Sequence, residues 1–237
     1  VGILCTAVGI LAAWEYVGLT RFLGETSVPA FPLLFFVPAY IFSLVFWGGR
    51  YAPVVGLVAV LLLIAMALPR SHPKSGLWAS VLGVLGFLYI PWPLGLLLRI
   101  YLSGARLAPY VLIVVWAYDT GAFCAGRLLG RHRLLPEVSP SKTWEGAIGG
   151  LMVSVVVAYL LLGLSVPIDP WHAVPLGLLV GAGTQLGDLF ESLLKRAAGV
   201  KDAGWLLPGH GGILDRIDGL LFALPIYWLY LRGLGLV

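Results

Sequence analysis

Apolar runs of about twenty residues recur along almost the whole chain, and no other feature limits its possible folds so severely. A bilayer's hydrocarbon core demands about 20 residues per helical span, whereas a membrane β-barrel would show alternating segments of about 10 residues. The runs near 1–19, 31–48, 53–69, 77–102, 107–128, 144–166, 172–196 and 213–235 therefore predict an all-α, polytopic transmembrane helix bundle with eight visible spans. Composition agrees: 60% of the 237 residues are hydrophobic and 11% are charged, where a soluble domain carries about 25% charged. Pro91 and Pro93 inside the fourth run predict a kink or break, because proline removes a backbone donor and clashes with the preceding turn.

The net charge of +4 does not point to nucleic acid, since the basic residues lie in short loops between apolar spans and form no stripe. If loops 20–30, 70–76, 127–143 and 197–212 share one side, that side holds Arg21, Arg70, Lys74, Arg127, Arg131, Arg133, Lys142 and Lys201, with Lys195 and Arg196 at its edge. The positive-inside rule then places it in the cytoplasm. Cys5 and Cys124 have no partner at motif spacing, which argues against a zinc site or a disulfide framework. The chain starts at Val1, without methionine and already inside an apolar run, so we expect a preceding piece of up to one span. No linker or repeat divides the sequence. We read one integral membrane domain over 1–237, with N-terminal spans in 1–106 and catalytic spans and loops in 107–237.

Acidic side chains within spans are costly and by default mark a site. Asp119, Asp188, Glu191, Asp215 and Asp218 all require explanation. Five of the eleven acidic residues fall between Gly183 and Gly219. On a helix, Thr184, Asp188, Ser192 and Lys195 form one polar stripe, either a functional face or an Asp188–Lys195 neutralising arrangement. Asp215 and Asp218, at i and i+3, present two carboxylates on one face, with Arg216 between them. Such carboxylates repel unless a cation or proton intervenes, and hard oxygen ligands in small number suit Mg²⁺ held together with substrate phosphates. Asp188 would complete the set; the alternative is a simple ion pair with Arg216.

The P-G-H-G-G segment before this helix, with His210, Gly211 and Gly212, can form a concavity of N–H groups for a phosphate, or a plain glycine turn. A second polar cluster reads Y-D-T-G-A-F from Tyr118, G-R-L-L-G-R-H-R from Gly126 and S-P-S-K-T-W-E-G from Ser139. Its cations and hydroxyls suit a triphosphate, although Ser139 to Glu145 could equally cap the next helix.

With these residues in view, the sequence resembles the phosphatidate cytidylyltransferase family, also called CDP-diglyceride synthetases. The family's S-x-x-K-R, K-D and H-G-G-x-x-D-R-x-D elements are met by Ser192, Lys195, Arg196, Lys201, Asp202, His210, Gly211, Gly212, Asp215, Arg216 and Asp218. Upstream, D-x-x-A-[FY] and S-P-x-K-T-x-E-G are met at Asp119, Ala122, Phe123, Ser139, Pro140, Lys142, Thr143, Glu145 and Gly146. The resemblance covers roughly 110 to 220, and the N-terminus is shorter than the family pattern.

It implies transfer of a cytidylyl group from CTP to phosphatidate, giving CDP-diacylglycerol and pyrophosphate, in a bacterial inner membrane with the active site facing the cytoplasm. It further implies Mg²⁺, with K⁺ alongside, at the aspartates equivalent to Asp188 and Asp215. On that basis Asp188, Asp215 and Asp218 are assigned to metal. Lys142, Lys195, Arg196, Lys201 and Arg216 are assigned to phosphates, and Asp119, Ser139, Thr143, Ser192, His210, Gly211 and Gly212 to substrate. The partners are CTP, phosphatidate and the bilayer; the oligomeric state stays open, a homodimer included. A CTP-dependent polyprenol or phytol kinase is the nearest rival, and an ion-coupled transporter is the rival from another class, for which inverted repeats would be needed.

Overall fold

The computed structural model describes residues 1–23, 28–70, 72–165, 168–204 and 211–237. Each apolar run becomes a helix: α1 (Gly2–Arg21), α2 (Ala30–Phe46), α3 (Ala52–Ala67), α4 (Pro73–Tyr89), α5 (Pro91–Ser103), α6 (Leu107–Leu129), α7 (Trp144–Ser165), α8 (Ala173–Ala197) and α9 (Leu214–Gly233). The expected fourth span is the pair α4–α5. Ile90 between them takes φ −113°, ψ −70°, and Pro91 and Pro93 cannot donate to the preceding turn. Ile90 still donates to Gly86 O and accepts from Leu94 N, so the segment is kinked and not severed.

Among the described residues, five helical segments are long and apolar enough to cross a membrane: Gly2–Arg21, Pro73–Ser103, Leu107–Leu129, Trp144–Leu162 and Pro170–Ala197. The shorter apolar helices α2 and α3 fall below that length. Their outward faces carry Phe31, Phe35, Phe42, Phe46, Val54, Leu57 and Leu61, all exposed. Such a surface suits lipid, which is as apolar as these side chains. The protein is an all-α integral membrane protein.

The chain divides into two compact units, Val1–Leu98 with Leu194–Ile217, and Arg99–Leu193 with Asp218–Val237. In the first, large rings fill space left by glycines. A Cβ on Gly86 would lie 2.6 Å from the Tyr16 ring, and Tyr16, fully buried, donates its hydroxyl to Leu82 O at 2.8 Å. Gly95 admits Tyr40 in the same way.

In the second unit, helix contacts rest on small residues, which in lipid let backbones approach closely. Gly121, Gly146, Gly149 and Gly150 bring α6 onto α7, where a Cβ on Gly150 would lie 2.9 Å from Tyr118 O. Gly177 sits against the Val155 backbone, and Ser154 Oγ donates to Gly177 O at 2.9 Å, joining α7 to α8. Gly183 and Gly187 receive Ala223 and Gly219, joining α8 to α9. A two-stranded antiparallel hairpin, β1 (Arg133–Leu135) and β2 (Ser139–Thr143), lies between α6 and α7, pairing Arg133 with Thr143 and Leu135 with Ser139. The sequence reading had treated this segment as a polar loop.

Candidate active site

The small-residue contacts of the second unit place its acidic residues. A Cβ at Gly187 would run into the Asp218 carbonyl and lie 2.9 Å from Gly219 Cα. The helices therefore meet backbone to backbone at the level of Asp188 and Asp218. Asp119 on α6, Asp188 on α8 and Asp218 on α9 lie within electrostatic reach of one another, with Lys142 of β2 among them. Lys142 Nζ forms an ion pair with Asp188 Oδ2, and the two side chains are 18% and 35% exposed. Beside them, Tyr118 donates its hydroxyl to Gln185 Oε1 at 2.6 Å.

The hairpin holds Lys142 in place through its own closure. Thr143 Oγ1 accepts from Gly146 N at 3.1 Å, capping α7. Glu145 accepts from the N–H groups of Arg131 and His132 at 3.1 and 3.2 Å and pairs with His132 Nδ1 at 2.6 Å. The residues assigned by resemblance thus divide: Lys142 reaches the carboxylates, while Thr143 and Glu145 secure the turn that carries it. Ser139 is buried at the hairpin edge, and Arg127, Arg131 and Arg133 are exposed around it. Ser192 is half-buried on α8.

In the first unit, Asp215 at the start of α9 is held from several directions. Its Oδ1 accepts from Lys195 Nζ at 2.6 Å; its Oδ2 accepts from Gly212 N at 2.7 Å and Ala203 N at 3.0 Å. Gly211 has φ +79°, which only glycine adopts without strain, and a Cβ there would lie 2.9 Å from Asp215 Oδ2. Lys195 therefore pairs with Asp215, and Asp188 pairs with Lys142. Helical spacing and adjacency along the chain suggest Asp188–Lys195 and Asp215–Arg216 instead. Arg196 and Arg216 are exposed, as are Lys201 and Asp202. His210, with Pro208 and Gly209, lies outside the described residues.

Sequence reasoning missed Glu15, on α1. It is 4% exposed and accepts from Ile213 N at 3.1 Å and Leu214 N at 2.8 Å. Burying a carboxylate costs several kcal/mol unless hydrogen bonds compensate. Here the first N–H groups of α9 do so, with the helix dipole adding to their effect. In this structure, then, the N–H groups of Gly212, Ile213 and Leu214 hold protein carboxylates, where the sequence had suggested a phosphate.

The donor chemistry fits a hard divalent cation. Among the described residues no three His, Cys, Asp or Glu side chains converge closely enough to hold an ion by themselves. Mg²⁺ does not need them, since it is commonly held by one or two carboxylates together with substrate phosphates. Asp188 and Asp218 are suited to that role.

The cytidylyltransferase family model matches residues 1–234. A phosphatidate cytidylyltransferase of Haemophilus influenzae is 37% identical over 251 residues, covering 93% of this chain and 86% of that protein. Proteins of the same name from Staphylococcus haemolyticus and Staphylococcus aureus are 48% and 47% identical over 125 residues, which is 52% of this chain and 48% of theirs. With these two relatives the similarity spans about half of each relative's length.

Proposed function

Because this chain belongs to the cytidylyltransferase family, we infer that it transfers the cytidylyl group of CTP to phosphatidate, giving CDP-diacylglycerol and pyrophosphate for phospholipid synthesis. The observation that carries the reading is the gathering of Asp119, Asp188 and Asp218, on three otherwise apolar helices, with Lys142 of β2. Intramembrane carboxylates are too costly to be incidental.

In the reaction, a phosphatidate oxygen attacks the α-phosphorus of CTP. The new P–O bond forms as the bond to the β-phosphate oxygen breaks, and its electron pair leaves on pyrophosphate. The attacking phosphate is already anionic, so no strong base is needed. What the protein supplies is alignment of two anions and relief of their repulsion. Lys142, Lys195, Arg196, Lys201 and Arg216 are the cations proposed to meet the phosphates. Ser139, Thr143, Ser192, His210 and Gly211 remain the proposed donors, Gly212 N being committed to Asp215 Oδ2, and Asp119 a substrate contact. Asp188 and Asp218 are proposed to hold Mg²⁺; the family motif alone suggests a metal role for Asp215 and K⁺ as a second cation. When bound, the metal would offset charge on the triphosphate and the leaving pyrophosphate.

The loop cations support placement in a bacterial inner membrane with loops 127–143 and 197–212 in the cytoplasm. In a background lacking Cys5 and Cys124, cysteines at the exposed positions Ser141 and Asp202 should resist an impermeant thiol reagent in intact cells. Ready labelling of both would reverse the orientation. The activity itself is tested with purified protein, phosphatidate, Mg²⁺ and CTP labelled at the α-phosphorus. Label should enter the lipid together with the cytidine, and pyrophosphate should appear in solution. Unlabelled lipid with CDP released would mean a lipid kinase, and equal rates with ATP would remove the cytidylyltransferase reading.

A further inference from the structure

We propose that Glu15, on the first helix, is a positioning residue for Asp215, fixing the turn that presents this aspartate; the proposal rests on the function inferred above. Three independent features of the first unit point to it. Glu15 Oε1 and Oε2 accept from Ile213 N and Leu214 N, the residues immediately before Asp215. The carboxylate is almost fully buried although 198 residues separate it from Ile213, so the contact is a product of the fold and not of local sequence.

The neighbouring glycines are shaped to the carboxylate. A Cβ on Gly204 would lie 2.6 Å from Glu15 Cδ, and one on Gly212 would do the same. Glu15 could give way only by leaving its two backbone donors. Gly212 and Ala203, one residue from Gly204, also donate to Asp215 Oδ2. Asp215 therefore holds 203 and 212, while Glu15 holds 213 and 214 and lies close against Gly204 and Gly212. If Glu15 moves, the N–H groups that orient Asp215 move with it, and with them the partner of Lys195.

The test uses the full chain in detergent or nanodiscs. Glu15→Gln keeps the shape but sets an amide NH₂ against a backbone N–H. In amide hydrogen exchange, the peptide covering 211–217 should exchange at least about tenfold faster in this variant, with α6 and α7 unchanged. Turnover should fall about tenfold or more, with the Mg²⁺ concentration for half-maximal rate raised and KM for phosphatidate little changed, a split that general destabilisation would not produce. Glu15→Asp, which keeps the charge but is shorter, should recover only part of the loss.

Gly212→Ala keeps Glu15 intact and decides the matter should Glu15→Gln fail to fold. It should impair turnover on its own, yet add almost nothing in a Glu15→Ala background, because the clash is then gone. Additive losses in that cycle, or Glu15→Gln with wild-type exchange at 211–217 and more than half of wild-type turnover, would overturn the proposal. If the wild-type protein makes no CDP-diacylglycerol, the inferred activity fails, while the exchange data still decide the Glu15 contact.

Discussion

The two compact units treat their carboxylates in opposite ways. In the first, Asp215 and Glu15 spend their oxygens on fixed donors: an ammonium and four backbone N–H groups. In the second, Asp119, Asp188 and Asp218 lie near one another with Lys142 among them. Carboxylates met by fixed donors are held in position, and their charge is balanced where they stand. Carboxylates that face one another repel until a cation or a proton intervenes. The first arrangement holds a turn in place, and the second is where we propose that a divalent ion and an anionic substrate bind.

Replacing Asp215 by Asn should break this contrast most severely. The amide keeps one acceptor but loses the charge that balances Lys195, so turnover should fall about a thousandfold or more, since a loss of about 4 kcal/mol corresponds to that factor. Amides of 203 and 212 should exchange faster in the same variant. Activity above about a tenth of wild type would show that the charge at this position is dispensable. Next, Lys142→Ala removes the ammonium beside Asp188, and we expect turnover to drop about a hundredfold, with KM for CTP rising; a change in kcat alone would place Lys142 away from the nucleotide.

Gly187→Ala probes the scaffold. A methyl group there meets the α9 backbone at Asp218, so overpacking should cost about 1–3 kcal/mol, read as a lower midpoint of thermal unfolding. An unchanged midpoint would mean that α8 and α9 separate without cost. The smallest effect should come from Asp202→Asn. This aspartate is exposed in the loop, and turnover within about threefold of wild type is expected; a larger loss would make it part of the site.

Much of this organisation is legible in the sequence because lipid imposes it. Helix length follows from the apolar runs, and the kink at Ile90 follows from Pro91 and Pro93. The acidic residues of α6, α8 and α9 stand out against their apolar surroundings, but the sequence grouped Asp188 and Asp218 with Asp215, and the approach of Asp119 to them is visible only in the fold. Their partners were not legible, because Lys142–Asp188 and Lys195–Asp215 depend on tertiary approach and not on helical spacing. The hairpin was missed since its strands are only three and five residues long, include Pro140 and show no clear alternation.

Glu15 was within reach. It is a lone acid inside the first apolar run, and the rule applied to the later aspartates applies equally to it. What no local pattern could supply is its partner, the N-terminus of the last helix. The glycines of the loop also look like ordinary turn residues until the buried carboxylate beside Gly204 and Gly212 is seen.

The central claim is that the acidic cluster of the second unit carries the reaction, and Asp188 is its most direct test. Purified Asp188→Asn should extract as a monodisperse protein with near wild-type helix content. At saturating Mg²⁺, CTP and phosphatidate it should form CDP-diacylglycerol at least about a thousandfold more slowly than wild type, as expected when several kcal/mol of metal-assisted stabilisation are lost. A well-folded Asp188→Asn protein that keeps more than about a tenth of wild-type turnover would contradict the account.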